Sequence, residues 1–155
     1  MKNILAFFMF FKASITFSQC EEALPINNSI MEFIELNMGK KIGRGECWDV
    51  AKGALDFAEA TLVDVYEFGR LLEKNECIYP GDIIQFENVK TELSEEGVIN
   101  YQNFPHHTAI VYETTTQDDI VLAHQNVDGK RKLTTSKFVF SSVTEGELKV
   151  YRPID

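Results

Sequence analysis

Three short segments of this chain carry side chains that together could cleave an acyl bond. Cys47 precedes a helical pattern, His107 begins a strand-like apolar run, and His124 and Asn126 end the next such run. A nucleophilic thiol needs a base that takes its proton and a third group that orients the base. The dipole of a helix also favours the thiolate form of a cysteine at the helix N-terminus. These residue types therefore predict thiol-based acyl transfer.

The spacing of the two strand-like segments determines which residues can meet His107. A two-residue turn between them would pair His107 with His124, and a four-residue loop at 115–118 would pair it with Asn126. Opposed residues share one face of a sheet, and so do residues two apart in a strand. Both registers therefore place a polar side chain beside His107, while His106 points to the other face.

The same residues could have structural or metal-binding roles instead of a catalytic one. A cysteine at a helix start can be a small buried residue, and a histidine on a strand can be structural. Cys47, His106, His107 and His124 could also bind zinc, but their spacing is not that of zinc-finger ligand pairs. We therefore expect neither a metal nor another cofactor.

The N-terminal segment has the features of a secretory signal peptide. Lys2 is followed by an apolar run at 4–11, which is too short to span a bilayer, and small residues follow. We expect residues 1–19 to be removed, which leaves residues 21–155 as a secreted, periplasmic or cell-envelope domain. Two alternatives are lipid attachment at Cys20 and retention of the segment as a hydrophobic helix.

Length and charge limit the function classes. A chain of 155 residues with 45% apolar and 25% charged residues is typical of one globular domain, and we expect a monomer. The formal charge of −9 argues against nucleic-acid binding, which needs clustered cations to neutralise phosphates. The only cationic run, at 130–132, is interpreted as a solvated turn.

The pairing of the cysteines determines whether Cys47 has a free thiol that could react. A Cys47–Cys77 disulfide would remove the proposed nucleophile, whereas a Cys20–Cys77 disulfide would leave it free. The sequence does not choose between these pairings.

Helical patterns precede strand patterns, which predicts an α+β fold. We predict one helix capped within Asn27–Ser29 and ending near Met38, and a second from Cys47 to Leu62. The other predicted elements are strands at 83–86, 107–112, 120–126, 138–140 and 147–151, turns at 79–82 and Asp128–Gly129, and a long loop at 87–105.

Five motifs resemble those of the CHAP amidohydrolase/peptidase family and its NlpC-type relatives. They are Gly45-Glu46-Cys47-Trp48, Pro80-Gly81-Asp82-Ile83-Ile84, His107-Thr108-Ala109-Ile110-Val111, Ala123-His124-Gln125-Asn126 and the segment from Leu148 to Pro153. The resemblance covers about residues 29–153. It implies a papain-like fold, in which N-terminal helices pack on a C-terminal antiparallel sheet.

The resemblance also implies roles for individual residues. Cys47 corresponds to the nucleophile, His107 to the general base and acid, and Asn126 to the family's asparagine. His124 stands where many CHAP members have Glu and where histidine is common among NlpC-type relatives. The implied reaction is hydrolysis of an amide bond, most often in peptidoglycan, through a covalent acyl-enzyme without a cofactor.

Two residues depart from the family pattern, and two other functions remain open. Glu46 stands where Gln or Asn often precedes the cysteine, and His106 replaces the usual Gly before the catalytic histidine. One alternative is a non-catalytic binding module, with Cys47 in a disulfide or the cleft covered by residues 87–105. The other is an acyltransferase that uses the same residues with an amine acceptor.

Overall fold

The computed structural model describes residues 24–155, which form the predicted α+β fold. Its elements are helices α1 (Pro25–Asn37) and α2 (Cys47–Phe57) and strands β1 (Arg70–Leu71), β2 (Ile83–Glu95), β3 (Val98–Thr114), β4 (Asp119–His124), β5 (Thr134–Val139) and β6 (Val143–Arg152). The strands form one antiparallel sheet in the order β1-β6-β2-β3-β4-β5. Within the described part, neither helix has both the length and the apolar character of a membrane span. The expected leader and Cys20 lie outside it.

Both faces of the sheet bury apolar side chains. On one side, here called the helix face, Ile110 and Ala123 pack with the buried residues of α1 and α2. On the other side, here called the aromatic face, the core contains Phe86, Phe104 and Phe138. Because side chains alternate along a strand, consecutive residues of β3 contribute to different faces.

The prediction of a long loop at 87–105 is wrong, because this segment forms the outer parts of β2 and β3. Their ladder extends as far as Glu95 opposite Val98. The hairpin turns at Glu96 and Gly97, whose φ angles of 50° and 81° suit a tight two-residue turn. Most side chains in this part of the hairpin are exposed, so the apolar alternation that reveals a strand in a sequence is weak.

The helix boundaries also differ from the predicted ones. The first helix begins at Pro25, because proline is well accommodated in the first turn of a helix. Asn27 is therefore inside the helix and not its cap, and its Nδ2 donates to Asp82 Oδ1 at 2.9 Å. The second helix ends at Phe57 instead of Leu62.

A buried ion pair connects the turn before β2 to the last strand. Asp82 is fully buried, and its carboxylate accepts hydrogen bonds from Arg152 Nη2 at 2.8 Å and Nε at 3.1 Å. Gly81 has a φ of 90°, and a Cβ on it would lie 2.7 Å from the carbonyl oxygen of Asn27. The Pro-Gly-Asp and Arg-Pro motifs therefore hold α1, β2 and β6 together.

The loop between β3 and β4 has the longer of the two predicted lengths. It spans residues 115–118, and the ladder includes the pair Ile110↔Ala123. This is the register that would bring Asn126 opposite His107 if the ladder continued. The pairing stops earlier, however, because β4 ends at His124.

The predicted turn at Asp128–Gly129 is confirmed, with φ angles of 49° and 72°. The strand predicted at 138–140 is misplaced, because β5 ends at Val139 and Phe140–Ser142 is a 3-10 helix.

Candidate active site

Cys47 is the first residue of α2, and its thiol is free and half-buried. The carboxylate of Asp49 fixes the approach to the helix, because it accepts hydrogen bonds from the backbone N–H of Arg44 at 2.7 Å and of Glu46 at 3.3 Å. The backbone N–H groups of the first helical turn have no partner within the helix. The thiol therefore lies beside the positive end of the helix dipole.

The pairing of the cysteines leaves the candidate nucleophile available. Cys77 is disulfide-bonded and Cys47 is free, so the Cys47–Cys77 disulfide is not formed. The alternative partner that the sequence suggested, Cys20, lies outside the described residues.

His107 and His124 form a buried pair on the aromatic face. The Nε2 of His107 and the Nδ1 of His124 lie 3.0 Å apart, and the Nε2 of His124 lies 3.0 Å from Ser136 Oγ. His107 is 5% exposed and His124 is fully buried. The ring of Phe104 stacks on His107 at a centroid distance of 5.3 Å. The orientation of both imidazoles is thus fixed by packing and by hydrogen bonds.

Burial keeps this pair neutral. Desolvation, and next the proximity of His124 and His106, lowers the pKa of His107 to about 3. Desolvation also lowers the pKa of His124 to about 4, against the opposite effect of the Asp128 carboxylate. Both rings are therefore uncharged at neutral pH.

In one combination of tautomers, the neutral pair leaves a ring nitrogen with an unused lone pair. If His107 donates from Nε2 to His124, and His124 donates from Nε2 to Ser136, the lone pair of His107 Nδ1 is unused. This Nδ1 makes no hydrogen bond to any residue within 24–155. A ring with a pKa of about 3 is nevertheless a weak base, and this ring lies on the aromatic face of the sheet.

The two residues after His124 tie the end of β4 to the N-terminus of α2. Gln125 is fully buried, and its Nε2 donates to the carbonyl oxygens of Ile42 at 2.9 Å and Glu46 at 2.8 Å. Its Oε1 accepts from the backbone N–H of Ile42 at 3.1 Å. Asn126 Nδ2 donates to Glu46 Oε2 at 2.7 Å. The residue that precedes Cys47 is therefore held by the residues that follow His124.

The structure places Cys47 and the histidine pair on opposite faces of the sheet. Cys47 begins α2, which packs on the helix face, whereas His107 and His124 lie on the aromatic face. In the part of the chain described, no hydrogen bond links Cys47 Sγ to His107 or His124. The structure therefore does not bring the predicted Cys47 and His107 together.

His124, and not Asn126, occupies the position beside the ring of His107. Asn126 is exposed, has a φ of 59° and uses its side chain to bind Glu46. The second oxygen of Glu46 lies 3.0 Å from Arg131 Nη1. The carboxylate next to the thiol is therefore paired with a cation and an amide.

A second pair, between His106 and the Glu87 carboxylate, lies one residue along β3 from His107. The sequence did not reveal it. His106 Nδ1 lies 2.9 Å from Glu87 Oε2, and the Tyr66 ring meets the His106 ring edge-on at 4.4 Å. Gln85 Nε2 donates to the other Glu87 oxygen at 2.9 Å. This pair is half-exposed and lies on the helix face. Glu87 is the strand partner of His106 in the β2–β3 ladder. This pairing could not be predicted, because residue 87 lay in the predicted loop.

The zinc site considered from the sequence is not formed by the residues that the structure describes. Among residues 24–155, no three side chains of His, Cys, Asp or Glu are placed to share a metal ion. His106 and His107 lie on opposite faces of β3, which separates two of the four candidate ligands.

Two solved structures share this fold. The crystal structure of Ly7917 matches with a TM-score of 0.52 and 15% identity, over 81% of this chain and 62% of that chain. The crystal structure of Ly7917 with the hydrolyzing product of MDP matches with a TM-score of 0.53 and 15% identity, over 82% and 62%. At this identity, the likeness concerns the fold alone.

Sequence comparison identifies the family. A relative from Debaryomyces hansenii, altered inheritance of mitochondria protein 3, is 26% identical over an alignment of 157 positions that covers 86% of this chain and 17% of that protein. The chain thus spans about a sixth of that relative's length. The model of the AIM3/BBC1 cysteine proteinase-fold domain matches residues 24–155. These findings support a papain-like cysteine-proteinase fold, whereas the finer resemblance to the CHAP family stays a prediction. The chain belongs to the AIM3/BBC1 cysteine proteinase-fold domain family.

Proposed function

We propose that this domain is a cysteine hydrolase that cleaves amide bonds, with Cys47 as nucleophile and His106 as general base and acid. The observation that carries the proposal is that His106, whose Nδ1 lies 2.9 Å from Glu87 Oε2, shares the helix face of the sheet with α2, which Cys47 begins. His107, which the sequence favoured, lies on the other face and binds His124.

The proposed reaction has two stages. In the first, His106 Nε2 accepts the thiol proton while Cys47 Sγ attacks the substrate carbonyl carbon. The proton then passes to the departing amine nitrogen, the C–N bond breaks and a thioester remains on Cys47. In the second stage, His106 takes a proton from water, the hydroxide oxygen attacks the thioester, and the C–S bond breaks as the proton returns to sulfur.

Glu87 and the N-terminus of α2 have supporting roles in this proposal. The Glu87 carboxylate accepts the hydrogen bond from His106 Nδ1 and stabilises the imidazolium that forms when His106 is protonated. The backbone N–H of Cys47, as the first residue of the helix, has no helical partner and can donate to the developing oxyanion.

The assignment of the base to His106 and not to His107 rests on the faces of the sheet. His106 and α2 share the helix face, whereas His107 lies on the aromatic face and binds His124. Burial also lowers the pKa of His107 to about 3, which makes this ring a weak base. His107 is therefore the second candidate, and variants of the two histidines separate them.

The compartment and the substrate remain part of the proposal. The disulfide at Cys77 favours an oxidising compartment, in agreement with the expected leader at 1–19. We propose that the substrate is a peptide or the peptide portion of peptidoglycan. One structural neighbour of this fold was determined with the hydrolyzing product of MDP, and by analogy with that neighbour we propose hydrolysis for this chain.

A digestion experiment tests the proposal. The full chain and a Cys47→Ala variant would be incubated under mildly reducing conditions with peptidoglycan preparations and a peptide library. Released fragments would be identified by mass spectrometry. We expect new amine and carboxyl ends that are absent with Cys47→Ala. No cleavage of any substrate, together with an unreactive Cys47, would favour the binding-module alternative. Transfer to an added amine would favour the acyltransferase.

A further inference from the structure

Cationic side chains are concentrated on two loops beside Cys47, although the chain has a formal charge of −9. Six of the 15 Lys and Arg residues lie in residues 40–44 and 130–132. We call these side chains the basic rim, which consists of Lys40, Lys41, Arg44, Lys130, Arg131 and Lys132. All six residues are exposed.

Backbone hydrogen bonds join the two loops into one surface. The N–H of Gly39 donates to the carbonyl of Leu133 at 3.0 Å, and the N–H of Leu133 donates to the carbonyl of Lys40 at 2.8 Å. A surface pocket of about 420 Å³ lies where they meet, lined by Gly39, Lys130, Arg131, Lys132, Leu133 and Thr134. The three cations of the second loop therefore line a depression whose wall is completed by Gly39 of the first loop.

The basic rim lies against the backbone that leads into α2. A Cβ at Gly45 would lie 2.9 Å from Lys41 Cε and 3.1 Å from Arg131 Cβ. One side chain from each loop thus packs over Gly45, two residues before Cys47. Any ligand of the rim would lie close to the free thiol.

Two cations of the rim are already paired. Arg44 Nη2 lies 2.8 Å from Asp49 Oδ1, and Arg131 Nη1 lies 3.0 Å from Glu46 Oε1. These pairs hold the loops in place at the start of α2. They therefore have a structural role and contribute little net charge to the surface.

The remaining cations are available to a ligand. Within residues 24–155, Lys41, Lys130 and Lys132 form no ion pair. The six cations stand against three nearby acids, Glu46, Asp49 and Asp128, so the surface has a formal charge of +3. Isolated exposed charges bind weakly, but several of one sign on one surface raise the local concentration of an anion.

We propose that the basic rim binds a carboxylate-rich peptide and that acidic peptides are the substrate class of this hydrolase. The substrate assignment rests on the proposed function, whereas the binding step does not. The rim ends at a thiol suited to attack an amide, so a peptide held by its carboxylates would present its backbone to Cys47. The strongly acidic remainder of the chain would repel an extended polyanion such as duplex nucleic acid, which argues for a short ligand.

The test measures binding in the full-length Cys47→Ala chain, so that no turnover is needed. The probe is a fluorescent peptide of alternating Glu and Gly, followed by anisotropy at low and high salt. Gln-Gly and Lys-Gly peptides and anionic lipid vesicles are the comparison ligands. The rim variant is Lys41→Gln/Lys130→Gln/Lys132→Gln. The matched control, Lys74→Gln/Lys90→Gln/Lys149→Gln, removes the same charge from distant surfaces.

We expect the Glu-Gly peptide to bind more tightly than the other peptides, with an affinity that falls with added salt. The rim variant should lose roughly tenfold in affinity, and the control should change by less than about twofold. Equal loss in both triple variants, preference for the neutral peptide, or binding to vesicles alone would overturn the inference.

Turnover separates this inference from the proposed function. Cleavage of neutral peptides without any binding of acidic ones would overturn the inference and leave the hydrolase intact. Rim-dependent binding with an unreactive Cys47 would support the binding surface and overturn the hydrolase together with the substrate assignment.

Discussion

The imidazole Nε2 of His107 lies 3.0 Å from the Nδ1 of His124, so two neutral rings form a buried pair on the aromatic face. Many members of the family that the sequence resembles have a glutamate at the second position. A carboxylate would favour an imidazolium on His107, whereas the observed pair favours the uncharged ring. The histidine at position 124 therefore keeps the pair uncharged at neutral pH.

The substitution His124→Glu should raise the pKa of His107. A carboxylate at this distance typically shifts a neighbouring pKa by about 1–3 units, in this case upwards from about 3. Titration of the His107 ring by NMR measures the change directly. The matched substitution His124→Gln supplies a hydrogen-bonding group without charge and should not produce this rise. An identical His107 titration in His124→Glu and His124→Gln would show that the residue at 124 does not control this charge.

The buried pair should make the domain sensitive to acid. In the unfolded chain both histidines titrate near 6.5, whereas burial lowers their folded pKa values to about 3 and 4. Between these values the unfolded state binds more protons, so the free energy of unfolding falls as pH decreases below about 6.5. For each of the two histidines, the free energy of unfolding falls by about 1 kcal/mol per pH unit in this range.

Urea unfolding at pH 7 and pH 5 tests this expectation. The variant His124→Gln should be less stable at pH 7 but should lose less stability on acidification than the natural chain, because one buried titrating group is absent. The same pH dependence in both proteins would contradict the neutral buried pair.

Two adjacent substitutions identify the catalytic base. His106→Gln should lower kcat by about 10²–10⁴-fold, because general-base catalysis is typically worth this much, whereas His107→Gln should lower it by less than about tenfold. The measurement is turnover of any substrate found by digestion. The reverse order of effects would transfer the role to the His107–His124 pair on the aromatic face.

The Asp82–Arg152 ion pair should be important for stability and not for chemistry. Arg152→Met leaves the fully buried Asp82 carboxylate without its cation, which should cost about 3–5 kcal/mol of the free energy of unfolding. Lys90→Gln is the control, because it breaks the exposed pair with Glu145 and should cost less than about 1 kcal/mol. Urea denaturation measures the loss of stability in both variants. Similar losses would show that the buried ion pair stabilises the domain no more than the exposed one.

Most elements of the fold could be predicted from local patterns. The apolar residues of α2 recur at helical spacing, and the four-residue loop at 115–118 was one of two registers derived from strand pairing. The outer hairpin of β2 and β3 could not be predicted. Its strand conformation comes from pairing between the two segments and not from an apolar alternation in either one.

The candidate site was predictable in residue type and less so in connectivity. The contact between His107 and His124 follows from residues on neighbouring strands that share a face. The role of Asn126 was not predictable, because the strand ends before it and its backbone turns to bring the side chain to Glu46. The basic rim was hidden for a similar reason, since its two loops meet only in the folded chain.

The central claim is that Cys47 is a nucleophile activated by His106, and alkylation of the native protein tests it without a known substrate. The full chain, His106→Gln and His107→Gln would be treated with iodoacetamide, and peptide mapping would give the rate of modification at Cys47. We predict modification of Cys47 in the natural chain, about tenfold slower modification in His106→Gln, and a nearly unchanged rate in His107→Gln. An inert Cys47, or equal rates in the natural chain and His106→Gln, would contradict the account.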